Sequence, residues 1–347
     1  MQIHTFEVSA PLNNENFYKI QKEITSKDKS KWQGEKNGMT YFGLSDKGII
    51  IKMYRIKKKG FYAYSLTYRI SARRVIDNDN YVGLFNTKNY PELEEIVNKH
   101  LSDKSELLPK LEQCKLRRID FCVNAKLDNQ EQVKAYINTV RRCNIPAYLE
   151  RYMINGKPTK DDMTIYSDHY VAVSIYNKYK QMKKEKKNIY SDKDFKKAQN
   201  IVRIEIRCME EKVKALKEKY GISDIDEFMA NSDMIGKDVF HYYLKRMFGK
   251  GTIYTLGAAR KRIEISEYSQ DNCELLNSFL IDATELRSSA KAINMYKEIY
   301  GDKEVKRIIY MLDNIDVNYV TATTAAVKLF DRAFIPRPSE LFEDYVK

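Results

Sequence analysis

Three separate segments of the chain alternate apolar and polar residues, and this period of two limits the fold more than any other feature. Successive side chains of a β-strand point to opposite faces of the sheet, so each segment predicts a strand with one buried face and one polar face. The segments are 117–124 (RRIDFCVN), 170–178 (YVAVSIYNK) and 202–208 (VRIEIRC). If the three strands share a sheet, helices cover its apolar face and the polar side chains are displayed on the other.

The polar rows of these strands carry residues that can do chemistry. If the strands are neighbours, one sheet face presents two carboxylates, a phenol and several cations. The residues concerned are Arg118, Asp120, Cys122 and Asn124 from the first strand, Tyr176 and Lys178 from the second, and Arg203, Glu205 and Arg207 from the third.

This combination is typical of phosphodiester chemistry. Carboxylates hold a divalent cation, the cation polarises a phosphoryl oxygen, and a nucleophile such as a tyrosine attacks phosphorus. The tyrosine hydroxyl has an ordinary pKa of about 10, so a neighbouring cation such as Lys178 would assist its ionisation. The alternative is structural: the arginines form ion pairs with Glu205, and a Tyr-x-Lys/Arg spacing arises about five times by chance in this composition.

The surrounding pattern predicts an α+β fold with an antiparallel or mixed sheet and helices on one face. The first 75 residues read as an antiparallel meander, because strand-like runs are separated by Gly-containing turns. Helices are expected over 91–101 and 129–142 in the first part of the chain. After Cys208 most of the sequence has helical spacing, with Gly221 ending one helix and Ser223 capping the next, and with further helices at 233–247, 274–293, 304–314, 325–333 and 339–346. We therefore predict an α/β domain at 1–215 and a mainly helical region at 216–347.

The chain is basic, which makes a polyanionic partner such as DNA plausible. Its 347 residues contain 61 Lys and Arg against 48 Asp and Glu, a net charge of +13. The excess is concentrated at 176–197, where nine lysines stand against three acids. A solvated charged surface would explain this run equally well when it is considered alone.

The five cysteines and four histidines exclude several kinds of site. They are dispersed without a CxxC pair or a His-x-His motif, so reduced structural thiols are expected, and any metal must be held mainly by carboxylates. The first residues lack the pattern of a signal peptide, and no apolar run is long enough to cross a membrane. We expect a cytoplasmic protein.

The order of the three segments resembles the Rep_trans family, the initiators of rolling-circle plasmid replication and related relaxases of integrative conjugative elements. That family shows an Arg-Ile/Leu-Asp strand, then Asn-Gly-Lys-Pro and an Ile-Tyr-Asn-Lys strand, then an Arg-Val/Ile-Glu strand. This chain has RRIDFCVN, NGKP followed by SIYNK, and VRIEIRC in the same order between residues 117 and 213.

The resemblance implies that Tyr176 is the nucleophile and that Asp120 and Glu205 belong to an acidic site for Mg²⁺ or Mn²⁺. Tyr166, in the preceding segment, is the competing tyrosine. Two positions depart from the family pattern, since Asn124 and Gln181 stand where relatives commonly carry an acid. Cations at several positions are expected to hold DNA: Arg118, Arg203, Arg207, Lys180, Lys183, Lys184, Lys186 and Lys187.

The sequence therefore predicts a metal-dependent enzyme that nicks and closes one DNA strand at a rolling-circle origin and initiates replication. Its expected partners are origin DNA, single-stranded or cruciform at the nick site, a host helicase and a second copy of the chain. Two alternatives are a conjugative relaxase and a non-catalytic DNA-binding replication or regulatory protein. The helical C-terminal region, with Lys245, Arg246 and the cluster at 260–262, is a candidate for origin recognition or dimerisation.

Overall fold

The computed structural model describes residues 2–35, 37–77, 81–146, 149–151, 153–154, 157–158, 163–185 and 190–342. The fold is α+β, with an antiparallel sheet, helices and a helical C-terminal region, so the predicted fold class is confirmed. The chain forms two compact units. Unit 1 comprises Met1–Val123, His169–Val171 and Glu205–Gly236, and unit 2 comprises Asn124–Asp168, Ala172–Ile204 and Lys237–Lys347. The predicted domains at 1–215 and 216–347 stay a prediction.

The strands vary from two to twelve residues in length. They are β1 (Gln2–Leu12), β2 (Trp32–Glu35), β3 (Gly38–Tyr41), β4 (Ile49–Lys58), β5 (Phe61–Ile70), β6 (Phe85–Asn86), β7 (Lys115–Lys126), β8 (Glu150–Arg151), β9 (Met153–Ile154), β10 (Lys157–Pro158), β11 (Met163–Ser167), β12 (Val171–Asn177), β13 (Ile201–Cys208), β14 (Ile253–Tyr254) and β15 (Phe334–Ile335).

The helices are concentrated in the second half of the chain. They are α1 (Asn14–Asp28), α2 (Ala72–Ile76), α3 (Tyr90–Ser102), α4 (Gln130–Val140), α5 (Lys178–Glu185), α6 (Asp192–Ala198), α7 (Glu210–Tyr220), α8 (Ile225–Ala230), α9 (Ser232–Phe248), α10 (Leu256–Glu264), α11 (Gln270–Glu285), α12 (Ser289–Asn314), α13 (Thr324–Lys328) and α14 (Pro338–Leu341). Short 3₁₀ turns cover Lys29–Lys31, Thr87–Asn89 and Leu111–Gln113.

Unit 1 is built on a sheet in which β1 lies between β5 and β7. The strand order is β2-β3-β4-β5-β1-β7-β13, and β6 also pairs with β1. The predicted meander is confirmed, because β3, β4 and β5 pair antiparallel in sequence order. The sequence prediction did not include β1 or α1, although α1 buries Phe17, Ile20 and Ile24 at helical spacing.

Two helices of unit 1 end or begin where their sequences predict. In α3, Pro91 occupies the first turn and Leu93, Val97 and Leu101 are buried along one side. Helix α7 ends at Gly221, whose φ of +66° lies in the left-handed region that glycine adopts without strain. Ser223 is not the cap of the next helix, since Asp224 is the N-cap of α8 and accepts a hydrogen bond from the Glu227 amide.

Unit 2 contains strands β12, β11 and β8 beside the first half of β13. Strands β11 and β12 pair antiparallel from Met163 opposite Tyr176 to Ser167 opposite Ala172. Most of α9, helices α10 to α14 and the two-residue strands β14 and β15 make up the C-terminal part, so its predicted mainly helical character is confirmed. The predicted helix at 274–293 is wrong in its bounds: α11 ends at Glu285, Arg287 adopts a φ of +49°, and Ser288 caps α12. The prediction at 304–314 lies within α12, which is broken at Gly301.

Candidate metal centre

A β-bulge in β1 places His4 beside the two predicted acids of unit 1. Ile3 lies opposite Phe121 and Thr5 lies opposite Asp120, so two residues of β1 correspond to one step along β7, and His4 is the extra residue. A bulge redirects a side chain relative to the regular pleat of the strand. His4, Asp120 and Glu205 thereby each place a ligand atom within 4.8 Å of the other two.

The three side chains differ in their access to solvent. Asp120 is 1% exposed and Glu205 is 5% exposed, whereas the side chain of His4 keeps 32% of its surface exposed. The Nδ1 atom of His4 lies 3.3 Å from Oε2 of Glu205. The cluster therefore combines two buried carboxylates with an imidazole that solvent reaches.

Two arginines offset the negative charge of the buried acids. The guanidinium of Arg118 donates from Nε to Oδ1 of Asp120 at 2.8 Å and from Nη2 to Oδ2 at 2.6 Å, and Nη1 donates to Glu7 at 2.9 Å. Arg207 donates from Nε to Asp120 at 3.2 Å and from Nη2 to Oε1 of Glu205 at 3.2 Å. Paired, hydrogen-bonded guanidinium groups are what make two buried carboxylates tolerable in one place.

The environment shifts the ionisation of this cluster. Burial raises the pKa of the Asp120 carboxyl; the hydrogen bonds from Arg118 act in the opposite direction, and the neighbouring Glu205 carboxylate raises it further. Burial by itself lowers the pKa of the Arg118 guanidinium, but the hydrogen bond and charge of Asp120 outweigh it, so that pKa is raised. Arg118 therefore remains a cation, while Asp120 holds a proton more readily than an ordinary aspartate.

The donor set fits a divalent cation. Carboxylate oxygens are the ligands that Mg²⁺ and Mn²⁺ prefer, and an imidazole nitrogen suits Mn²⁺ better than the harder Mg²⁺. Each ligand atom would lie about 2.1 Å from such an ion. The ligand atoms of this cluster lie within 4.8 Å of one another, which is close enough for one ion to be shared. The structure thus places His4, as a candidate third ligand, beside the two acids that the sequence predicted as metal ligands.

Asn124 stands where members of the Rep_trans family commonly carry an acid. In unit 2 it accepts a hydrogen bond from a buried arginine. The Nε atom of Arg203 donates to Oδ1 of Asn124 at 2.7 Å, and Arg203 is fully buried. An amide oxygen accepts this bond without adding a further negative charge. The predicted contact of Arg203 with DNA stays a prediction.

The predicted nucleophile and its lysine lie in unit 2, at the junction of β12 and α5. Tyr176 is near the end of β12 and is buried. Lys178 opens α5, is buried, and donates from Nζ to Oε1 of Gln181 at 2.9 Å. Asn177 between them accepts from the backbone N–H of Lys180 and donates to Gln130, which fixes the turn from strand to helix. The Ile-Tyr-Asn-Lys segment is thus a strand-to-helix junction held by side-chain hydrogen bonds.

The lysines after this junction mostly face solvent. Lys183 and Lys184 are exposed, Lys180 is half-buried, and Nζ of Lys183 lies 4.5 Å from the centre of the Tyr179 ring. Lys193, Lys196 and Lys197 add exposed charge on α6. Lys186 and Lys187, also predicted to bind DNA, lie outside the described residues, as does the side chain of Tyr166. The assignment of these cations to DNA stays a prediction.

The sequence contains an indication of the bulge at His4 that a search for strict alternation of apolar and polar residues overlooks. Phe6, Val8 and Ala10 are two residues apart and buried, but Ile3 precedes Phe6 by three. A three-residue step in a strand that otherwise alternates indicates an inserted residue, and therefore a bulge.

None of the five cysteines, all within the described residues, forms a disulfide, as predicted. Among the residues that the structure describes, no helix is both long and apolar enough to span a membrane.

Comparison with known families defines the class of protein. The model of the Phage_CRI family, described as the N-terminal part of a replication-associated protein, matches residues 4–230, a span that includes His4, Asp120, Tyr176 and Glu205. The chain belongs to this family, and it is accordingly a DNA-binding initiator of rolling-circle replication. The resemblance to the Rep_trans family is confirmed at the level of this class, although the matching family is a different one. No curated protein matches the chain.

Proposed function

We propose that this chain initiates rolling-circle replication as a metal-dependent enzyme that nicks and closes one DNA strand at a specific origin sequence. Tyr176 is the nucleophile of the proposed reaction. The cluster of His4, Asp120 and Glu205 carries the metal-dependent part of this proposal, because it brings two buried acids and an imidazole within 4.8 Å of one another, a donor set that suits a divalent cation. Membership of a replication family favours initiation over conjugative transfer.

His4, Asp120 and Glu205 would hold Mg²⁺ or Mn²⁺, which when bound supplies polarisation of the phosphoryl oxygen under attack. Arg118 keeps Asp120 in place through two hydrogen bonds, so this carboxylate is oriented before any ion arrives. Arg207 bridges Asp120 and Glu205 while 32% of its side chain remains exposed, and it is therefore suited to contact a phosphate as well.

In the proposed nicking step, the Oη atom of Tyr176 loses its proton and forms a bond to phosphorus. The bond from phosphorus to the 3′ oxygen breaks, and that oxygen takes a proton to become the 3′ hydroxyl that a polymerase extends. The 5′ phosphate remains joined to Tyr176, and attack by a 3′ hydroxyl on this linkage reverses the step and closes the strand. Lys178 stabilises the phenolate as a neighbouring cation.

The remaining cations serve to hold the DNA. Exposed lysines of α5 and α6 are suited to phosphate contacts, which would make binding fall steeply with salt. A host helicase and a second copy of the chain are further partners that we propose from the class of protein.

The test incubates the protein with supercoiled DNA carrying its own origin and with Mn²⁺ or Mg²⁺. We expect relaxed and nicked DNA and a protein–DNA adduct that survives denaturation. Tyr176→Phe should abolish the adduct, whereas Tyr179→Phe, three residues further on, should retain it. An adduct formed by Tyr176→Phe would contradict the assigned nucleophile, and wild-type protein that never nicks its origin would contradict the enzyme.

A further inference from the structure

The tip of the hairpin formed by β4 and β5, residues 55–62, is a second surface with unusual chemistry, and it lies in unit 1. Its sequence is Arg-Ile-Lys-Lys-Lys-Gly-Phe-Tyr, with four cations and no acid, and all eight residues are exposed. We propose that this hairpin tip binds single-stranded DNA, with its lysines on phosphates and Phe61 stacked on a base.

The hairpin tip projects beyond the strands that flank it. Strand β3 pairs with β4 only as far as Tyr54, and β1 pairs with β5 only as far as Tyr64. The last pairs of the hairpin, from Ile56 opposite Ala63 to Lys58 opposite Phe61, have no strand on either side within the described residues. A two-stranded ribbon of this kind is accessible from both faces and both edges.

The turn closes with a geometry that exposes the neighbouring side chains. Lys59 and Gly60 form it, and Gly60 has a φ of +81°, which an L-residue would adopt only with strain. A Cβ atom added at Gly60 would meet nothing within 4 Å, so glycine is required here by backbone conformation and not by crowding. The turn thus holds Lys58 and Phe61 as an opposed pair at the end of the hairpin.

Each face of the hairpin tip combines a cation with an aromatic ring. Residues directly opposite in an antiparallel pair project from the same face, so Lys58 accompanies Phe61 on one side and Lys57 accompanies Tyr62 on the other. Phe61 is 60% exposed and Tyr62 is 41% exposed. Single-stranded nucleic acid is bound by this combination, because cations follow the backbone while bases stack on rings.

The Tyr62 face is already ordered for such a contact. The guanidinium of Arg55 lies 4.0 Å from the centre of the Tyr62 ring and donates to the hydroxyl of Tyr18 at 3.1 Å. The rings of Tyr18 and Tyr64 lie 6.0 Å apart in an edge-to-face arrangement, and Phe17 anchors both from the core. A platform ordered in advance loses little conformational entropy when a base binds to it.

The protection of a sheet edge explains only part of this composition. Lysines on an exposed ribbon prevent pairing with other chains, and that role would account for Lys57, Lys58 and Lys59. It does not account for Phe61, since an exposed phenyl ring promotes the association that the lysines would prevent. The three lysines form no ion pair with any acid in the described part of the chain, so their charge is available to a polyanion.

This inference rests on the proposed function in one respect, namely that a nicking initiator encounters single-stranded DNA. The experiment measures fluorescence anisotropy of a labelled oligo(dT) strand with EDTA present, so that binding is separated from nicking. Phe61→Ala should weaken binding by about 5-fold to about 150-fold, the usual effect of removing one stacking ring. Binding to an abasic strand of the same length should not change.

The triple variant K57A/K58A/K59A should make the salt dependence shallower, lowering the slope of log K against log salt by about 2. Tyr310→Ala and the triple variant K297A/K303A/K306A remove an exposed ring and three exposed lysines from α12 and are the matched controls, both expected to bind oligo(dT) as the wild type does. All of these sites are exposed, and circular dichroism should show unchanged folding.

The hairpin assignment is overturned if Phe61→Ala binds oligo(dT) like the wild type, if it weakens the abasic strand equally, or if phosphatidylserine vesicles displace oligo(dT) from the protein. A separate nicking assay on origin DNA distinguishes the two proposals. If Phe61→Ala loses oligo(dT) binding but the wild type does not nick origin DNA, the hairpin proposal is supported and the enzyme proposal is contradicted. If the wild type nicks origin DNA but Phe61→Ala binds oligo(dT) normally, only the hairpin proposal is contradicted.

Discussion

The Nδ1 atom of His4 lies 3.3 Å from Oε2 of Glu205, although the two residues come from the first and the last strands of unit 1 in sequence order. The contact exists because the bulge of β1 turns His4 towards the acids. It links an imidazole to a pair of carboxylates that the sequence already predicts as a metal site, and it makes His4 the residue whose removal tests that site most directly.

Substitution of His4 by alanine should weaken Mn²⁺ binding and slow nicking. Loss of an outer-shell partner already costs about 10-fold to about 100-fold in metal affinity, so loss of a ligand should cost at least as much. Isothermal titration calorimetry with Mn²⁺ measures the affinity, and His241→Ala, an exposed histidine of α9, is the control. Equal Mn²⁺ affinity of His4→Ala and the wild type would exclude His4 as a ligand.

As the pH is lowered, the affinity for a metal ion should begin to fall at a higher pH than it would if Asp120 were an ordinary exposed aspartate. Burial raises the pKa of Asp120, so a proton competes with a cation for this carboxyl at a higher pH than it would for an exposed aspartate. As pH falls, the protonated fraction of Asp120 therefore increases earlier than for an exposed carboxyl of pKa about 3.9, and Mn²⁺ affinity falls with it. Titrations from neutral pH into the acid range should show this loss. A constant affinity over that range would contradict the prediction.

Removal of the Asp120 carboxylate should also destabilise the fold. Asp120→Ala leaves Arg118 and Arg207 without the acid that both contact, and breaking a buried pair from one side costs about 3 to 5 kcal/mol. Urea unfolding measures the change in the free energy of unfolding. Asp77→Ala breaks a more exposed pair with Arg73 and should cost less than about 1 kcal/mol. Similar losses in both variants would show that burial does not strengthen the Asp120 cluster.

Substitutions at position 124 test whether the Asn124 amide stabilises the fold through its hydrogen bond with Arg203. Asn124→Leu removes the oxygen that accepts from the buried Arg203 and should cost about 1 to 3 kcal/mol of stability. Asn124→Asp keeps an acceptor and should unfold at a urea concentration close to that of the wild type. If Asn124→Leu is as stable as Asn124→Asp, the bond to Arg203 contributes nothing, and the amide has no structural role.

The sequence predicts most of the elements of the site and little of its detailed geometry. The period-two pattern correctly identifies β7, β12 and β13, and with them the pairing of Asp120 with Glu205, because alternation determines which side chains share a face. It misses His4, since a bulge breaks the alternation on which the method depends. The sequence offers ion pairs of arginines with Glu205 only as an alternative, and Arg207 does form one. It gives no indication that Arg118 and Arg207 also pair with Asp120, because tertiary contacts determine the partners of long side chains.

The predicted helices show the same division between local and non-local information. The stop at Gly221 follows from the conformational freedom of glycine and is read from the sequence. The break between α11 and α12 cannot be predicted from the sequence in this way, because no glycine or proline marks it. Arg287 adopts the positive φ there. Such a residue adopts a left-handed conformation only when the surrounding structure compensates for the strain.

The three candidate ligands are widely separated along the chain, at positions 4, 120 and 205, and this has a consequence for how unit 1 assembles. No local segment can hold the cation, since the site forms only after β1 has entered the sheet between β5 and β7. Closing such long loops costs entropy before any contact offsets it. A bound ion would therefore stabilise the native state by mass action. Its binding would also show that β1 has taken its place in the sheet.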